Sequence, residues 1–178
     1  LAVDEAHCIS QWGHDFRPAY HKISKLRDIF PEIPILALTA TATDLIKNEI
    51  VEKLQLNSPD IYKSSLKRDN LSYNVYLAAD KKKELTYYLK KYPGSSIIFV
   101  RNRKLTYEIS NFLIENGFDA DFFHARLTKD EKELKQREWT LSNSRIMVST
   151  NAFGMGIDKP NVRTVFHIDL PSSIESYY

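Results

Sequence analysis

Cysteine is almost absent from this chain, Cys8 being the only one. That excludes a disulfide framework within the chain and any metal site built from clustered cysteines. Such usage fits a reducing cytoplasm or nucleus. Cys8 itself reads as a small packing residue, since nothing near it in sequence would activate a nucleophile. No apolar run approaches the ~18 residues that a membrane span needs, and no signal-peptide pattern occurs, so no membrane is expected among the partners. The chain also lacks internal repeats, low-complexity stretches and a G-x-G-K-[ST] phosphate loop.

What remains is a chain of 178 residues, 43% hydrophobic and 27% charged, a soluble globular composition with room for one large or two small domains. The net charge of +2 is unevenly placed. Residues 1–66 carry 7 Lys/Arg against 9 Asp/Glu, net −2, whereas residues 67–178 carry 18 against 14, net +4. A mildly basic second part permits a phosphate-backbone partner without demanding one. The densest basic cluster, Lys81-Lys82-Lys83 with Lys90-Lys91, reads as a solvated helix face rather than a nucleic-acid track.

Strand signals at 1–4 and 34–39 alternate with helical patterns at 19–30 and 43–55, which predicts a parallel sheet. Residues 60–72 are charged and polar and read as a connection. A second alternation follows, with strands predicted at 73–78, 96–100, 120–123, 145–149 and 163–168 and helices at 80–92, 103–116 and 128–141. Leu105, Ile109, Phe112 and Leu113 form an apolar stripe on the helix at 103–116, which Gly117 stops. Thr128-Lys129-Asp130-Glu131 has the pattern of a capping box. The expected class is α/β in two units, 1–66 and 67–178, with the first already inside a strand at Leu1 and so only partly present.

Candidate chemistry begins at once. The apolar start Leu1-Ala2-Val3 ends in Asp4-Glu5, which puts two carboxylates at the carboxyl end of a strand, where open α/β sheets bind ligands. Such a pair suits phosphoryl transfer: Asp4 to hold Mg²⁺, directly or through water, and Glu5 to orient or deprotonate the attacking water. Taken alone, Asp-Glu is as readily a solvated strand end. Residues 11–17 then interleave Trp12 and Phe16 with Gln11, His14, Asp15 and Arg17. Aromatic faces stack on unpaired bases at roughly 1–3 kcal/mol each and Arg17 can neutralise a phosphate. Gly13 and Pro18 break helical and strand periodicity, which argues against a core cluster. Gly154 and Gly156 flank Met155 in a stretch whose backbone can approach a ligand closely.

The 15-residue run D-E-A-H-C-I-S-Q-W-G-H-D-F-R-P, residues 4–18, closely resembles helicase motif II and the aromatic-rich loop of the RecQ family of ATP-dependent DNA helicases, in superfamily 2 with its DEAH-type motif. Three more segments agree in order: L-A-L-T-A-T-A at 36–42 resembles motif III, I-I-F-V at 97–100 with Arg103 and Glu108 resembles motif IV, and residues 148–162 resemble motif V. The resemblance covers the whole chain. It implies two RecA-like doubly wound parallel-sheet lobes, ATP and Mg²⁺ as cofactors, single-stranded and partly duplex DNA as partner, and 3′-to-5′ translocation in DNA repair and recombination. His7 would couple hydrolysis towards motif III, through Thr39 and Thr41 on the γ-phosphate side, while Thr43 reads better as a helix cap.

The same resemblance puts Arg103, His124, Ser149 and Thr150 near the DNA backbone, and Asp158 with Gly156 near the nucleotide, held between the lobes. It departs from the commoner pattern at Arg126, where the family has Gly, exchanging a close backbone approach for an added cation. The phosphate loop is expected upstream of Leu1 and the arginine-rich motif VI after Tyr178, so the 178 residues alone are expected to be inactive. Location would be cytoplasmic and nucleoid-associated in a bacterium, nuclear in a eukaryote. The alternative is a non-catalytic DNA-binding or regulatory protein that retains helicase lobes; an RNA helicase is disfavoured by the aromatic-rich loop.

Overall fold

The computed structural model describes residues 1–10, 16–65, 67–142, 144–154, 157, 159–171 and 177. It divides into two compact units, Leu1–Ser72 with Pro171–Tyr178, and Tyr73–Leu170. The division thus falls six residues beyond the one expected from charge and polarity.

In the first unit, β1 (Ala2–Val3) and β2 (Leu36–Ala37) pair in parallel. The pairing extends past the strands through Leu36 N–H to Leu1 O (2.8 Å), Leu38 N–H to Val3 O (2.9 Å) and Ala6 N–H to Leu38 O (2.8 Å). A 3₁₀ turn, Ala6–Ile9, follows β1 directly. The helix expected at 19–30 is a 3₁₀ segment, Pro18–Lys25, running into one α-helical turn, α1 (Leu26–Ile29). Helix α2 (Asp44–Lys53) is capped by Thr43, whose hydroxyl accepts from Ile46 N–H at 3.4 Å. Its buried Ile46 and Ile50, with Leu54, close a core on Val3, Ala6 and Ile9.

The second unit is a four-stranded parallel sheet in the order β4-β5-β3-β6: β3 (Ser95–Phe99), β4 (Ala120–Phe123), β5 (Ile146–Ser149) and β6 (Val162–His167). The helices are α3 (Lys81–Lys91), α4 (Arg103–Glu115) and α5 (Lys129–Thr140). The chain crosses from β3 to β4 through α4 and returns from β4 to β5 through α5. Right-handed crossovers in opposite directions put these helices on opposite faces, and the cores agree. Leu85, Leu89, Ile109 and Leu113 pack with Ile98 and Val148 on one face; Trp139, Phe123 and Phe153 pack with Ile97 and Met147 on the other. Covered on both sides, β5 is buried at every residue.

One expectation fails here. No strand forms over 73–78, where Val75 and Leu77 are almost wholly exposed. Alternation specifies the faces of a strand, but only a neighbouring ladder makes one. The lysine-rich face of α3 is exposed to solvent as expected, and its ammonium groups make surface contacts. Lys81 Nζ donates to Ile168 O at 2.8 Å, Lys82 sits 4.9 Å from the Phe112 ring, and Lys91 lies over Tyr92 at 5.4 Å.

Candidate functional site

The carboxylate pair stands where β1 ends. Glu5 adopts a left-handed conformation, φ 49° and ψ 44°, immediately after the strand. A non-glycine residue pays of order 1–3 kcal/mol for that, so the surrounding structure must enforce it. Asp4 Oδ1 accepts from the Glu5 N–H at 2.9 Å, and the Ala6 N–H bond to Leu38 fixes the next peptide. The sharp turn separates the two carboxylates from the strand direction while the parallel ladder holds their backbone.

Behind them, His7 is 5% exposed. Its Nδ1 lies 2.9 Å from Thr39 Oγ1 and 3.3 Å from Glu5 Oε2. Thr39 Oγ1 gives its own proton to Thr41 O, at 3.2 Å. The threonine oxygen is therefore the acceptor from His7, which sets the proton on Nδ1, directed at a hydroxyl and a carboxylate together. Four predicted residues, Glu5, His7, Thr39 and Thr41, are thereby brought into one chain that links the end of β1 to the loop after β2. Asp4 is exposed and offers hard oxygen donors. One or two carboxylates beside phosphates and waters is what Mg²⁺ takes, so the donor set fits that ion.

The stretch after His7 is held at its base. Arg17 N–H donates to Cys8 O at 2.8 Å, and Ser10 Oγ donates to Glu49 Oε2 on α2. Glu49, also bonded by Lys53 at 3.0 Å, is held below the usual carboxylate range, first by Ser10. Phe16 meets the His21 ring edge-on at 5.5 Å. The predicted Gln11, Trp12 and His14 lie outside the described residues, as do Gly156 and Asp158. Glu49 had no signal in the sequence: it is one acid among several on an amphipathic helix.

In the second unit, loops leaving three neighbouring strands meet. Arg103 follows β3, His124 and Arg126 follow β4, and Thr150 follows β5; together with Ala125 they line an open depression of about 320 Å³. Asn102 caps α4 by accepting from Leu105 N–H at 3.0 Å, which sets Arg103 at the helix start. His124 is 5% exposed, and its Nε2 is 3.0 Å from Tyr107 Oη. Burial pushes its pKa below the ordinary histidine value, and Arg103 nearby adds to that, so at neutral pH it is an uncharged group in a depression that Arg103 and Arg126 also line. Such a depression suits an anion.

Ser149 is placed otherwise than expected. It is fully buried in β5, and its hydroxyl donates to Thr150 O at 2.6 Å instead of facing the depression. Tyr107, the partner of His124, escaped the sequence reading because only the fold brings α4 against β4.

Comparison with known proteins agrees along the chain. The model of the helicase conserved C-terminal domain matches residues 80–178. The whole chain is 44% identical to the ATP-dependent DNA helicase RecQ of Pasteurella multocida (strain Pm70), of which it spans 28%, and 42% identical to the RecQ-like DNA helicase blm-1 of Caenorhabditis elegans, of which it spans 18%. It is 37% identical to the ATP-dependent helicase SGS1 of Saccharomyces cerevisiae, spanning 12% of it. Among solved structures, S. cerevisiae Dbp5 bound to RNA and ADP BeF3 has the same fold, with a TM-score of 0.74 over 99% of this chain and 47% of that one at 23% identity.

Proposed function

Because the chain belongs to the helicase family that carries the conserved C-terminal domain, and to its RecQ branch by identity along its full length, we propose that it works within an ATP-dependent DNA helicase. The observation that carries this reading is the Glu5–His7–Thr39 connection. A carboxylate that merely ended a strand would need no buried histidine directed at it, nor a left-handed backbone. Here the histidine ties the carboxylate to the loop after β2, so a change at either end is felt at the other.

In this reading Asp4 holds Mg²⁺ and Glu5 orients or deprotonates the attacking water, which costs the enzyme little covalent chemistry because phosphoryl transfer depends on positioning and charge stabilisation. The ion supplies charge neutralisation on the phosphates when bound. His7 keeps Glu5 oriented, and Thr39 with Thr41 passes its position to the motif III loop. Arg103, His124, Arg126 and Thr150 hold the DNA backbone, with Ser149 orienting Thr150. Phe16 and Arg17, with Gln11, Trp12 and His14, form the DNA sensor beside the carboxylates. Asp158 and Gly156 serve the nucleotide. Residues 1–66 and 67–178 are the parts of the two helicase lobes, and movement is 3′ to 5′ in repair and recombination of DNA.

The test is strand displacement by the full-length protein with partial duplexes bearing a 3′ or a 5′ single-stranded tail. The expected result is ATP-dependent unwinding of the 3′-tailed duplex alone. Preference for the 5′ tail would refute the direction, and DNA binding with neither ATP hydrolysis nor unwinding would favour the non-catalytic alternative.

A further inference from the structure

Lys159 is a lysine with no business in an apolar core unless it is held there. It is 8% exposed, and burial pushes its pKa below the ordinary lysine value with no acidic group among the described residues offsetting it. Its Nζ donates to the carbonyl of Trp139 and to Ser142 Oγ, the latter at 3.1 Å, and stands 4.5 Å from the centre of the Trp139 ring. Trp139 lies in the last turn of α5 and is fully buried. The cation thus meets the negative end of a helix and the face of an indole at once.

The same indole holds a second residue of the segment that leaves β5. Phe153 meets Trp139 edge-on at 5.2 Å and Phe123 at 4.9 Å. Phe123 is the last residue of β4, next to His124, and Thr150 lies three residues before Phe153. Two points of the segment, Phe153 and Lys159, are therefore fixed on one side chain, while its beginning, Thr150, lines the basic depression.

We infer that Lys159 and Trp139 form a clamp that sets Phe153 and, through it, Thr150, and that Lys159 is a positioning residue for the nucleic-acid strand at Thr150. This rests on the proposed reading of the depression as a DNA-backbone site. A purely packing role is served as well by an apolar side chain, and replacement of a buried charge by one is often neutral or stabilising. Nothing is orphaned by that exchange: the Trp139 carbonyl still accepts from Ser142 N–H at 3.1 Å, and Ser142 is exposed to water. What an apolar residue cannot do is fix direction, because only the ammonium binds carbonyl, hydroxyl and ring together.

The experiment compares Lys159→Met, Lys159→Arg and Arg103→Ala in the full-length protein, by fluorescence anisotropy with a labelled oligo-dT strand at fixed salt and by thermal unfolding. Lys159→Met is expected to weaken strand binding roughly five- to twentyfold while Tm stays within about 3 °C of the parent. Lys159→Arg is expected to recover part of the affinity, and Arg103→Ala to weaken binding through its lost phosphate contact. Parent affinity in Lys159→Met with loss in Arg103→Ala would overturn the clamp and leave the DNA reading intact. Parent affinity in both would overturn the reading and the clamp together. Should Lys159→Met fail to fold or lose more than about 10 °C, Trp139→Phe decides, since it keeps an aromatic for Phe153 and shrinks the face under the cation: a loss of at least about threefold supports the clamp, and parent affinity overturns it.

Discussion

At the scale of single residues, the account turns on where protons sit. His7 has one Nδ1 proton and two acceptors, Thr39 and Glu5, so it orients the carboxylate by donating to it. Glu5 then remains an acceptor for the attacking water. Glu5→Gln keeps size and backbone but removes that basicity, and in the full-length protein it should retain nucleotide binding while steady-state hydrolysis falls roughly 10²–10⁴-fold. Unchanged turnover would move the base elsewhere. His124 makes a second prediction, in pH. The unfolded imidazole takes its proton near pH 6.5, and burial means that the folded one does so only at lower pH. Between those values the unfolded chain binds more protons, so stability falls as pH falls through that window. His124→Gln should reduce the loss of Tm between pH 7.5 and 5.5; an equal loss in both proteins would mean that His124 is not the group responsible.

At the scale of elements, caps and crossovers decide the outcome. Thr128 accepts from Glu131 N–H at 3.3 Å while Glu131 Oε2 accepts from Thr128 N–H at 2.7 Å, a complete capping box at the start of α5. Thr128→Ala should lower stability by ~1 kcal/mol, measured by urea unfolding, with no change if the first turn does not contribute. This cap, the Thr43 cap, Gly117 at φ 79° and the stripe on α4 were all legible in the sequence, because each depends on neighbours within four residues. β4 was also found where predicted, at 120–123, its apolar pattern being completed by the ladder to β5. What was not legible depends on distant partners. The strand at 73–78 lacks a ladder, and the 3₁₀ character of Pro18–Lys25 is invisible to apolar spacing. In the candidate site, the acids at Asp4 and Glu5 announced themselves by position. The left-handed turn at Glu5, Glu49 holding Ser10, Tyr107 holding His124 and the burial of Ser149 required the fold.

At the scale of the whole molecule, each compact unit holds chemistry of its own: carboxylates with a histidine relay in one, two guanidinium groups around an open depression in the other. A motor needs hydrolysis to depend on the strand, and the proposed dependence runs through His7 and Thr39. Leaving the buried His7 short of a hydrogen-bond partner costs about 1–3 kcal/mol, enough for a change of roughly five- to 150-fold in a rate ratio. The decisive measurement is the ATP hydrolysis rate of the full-length protein against single-stranded DNA concentration, up to saturation, for the parent, His7→Ala and the near-isosteric Thr39→Val. The parent is predicted to be strongly stimulated by DNA, and both variants to show a ratio of stimulated to basal rate at least about tenfold lower. Retention of the parent's ratio by both variants at saturating DNA would contradict the coupling role.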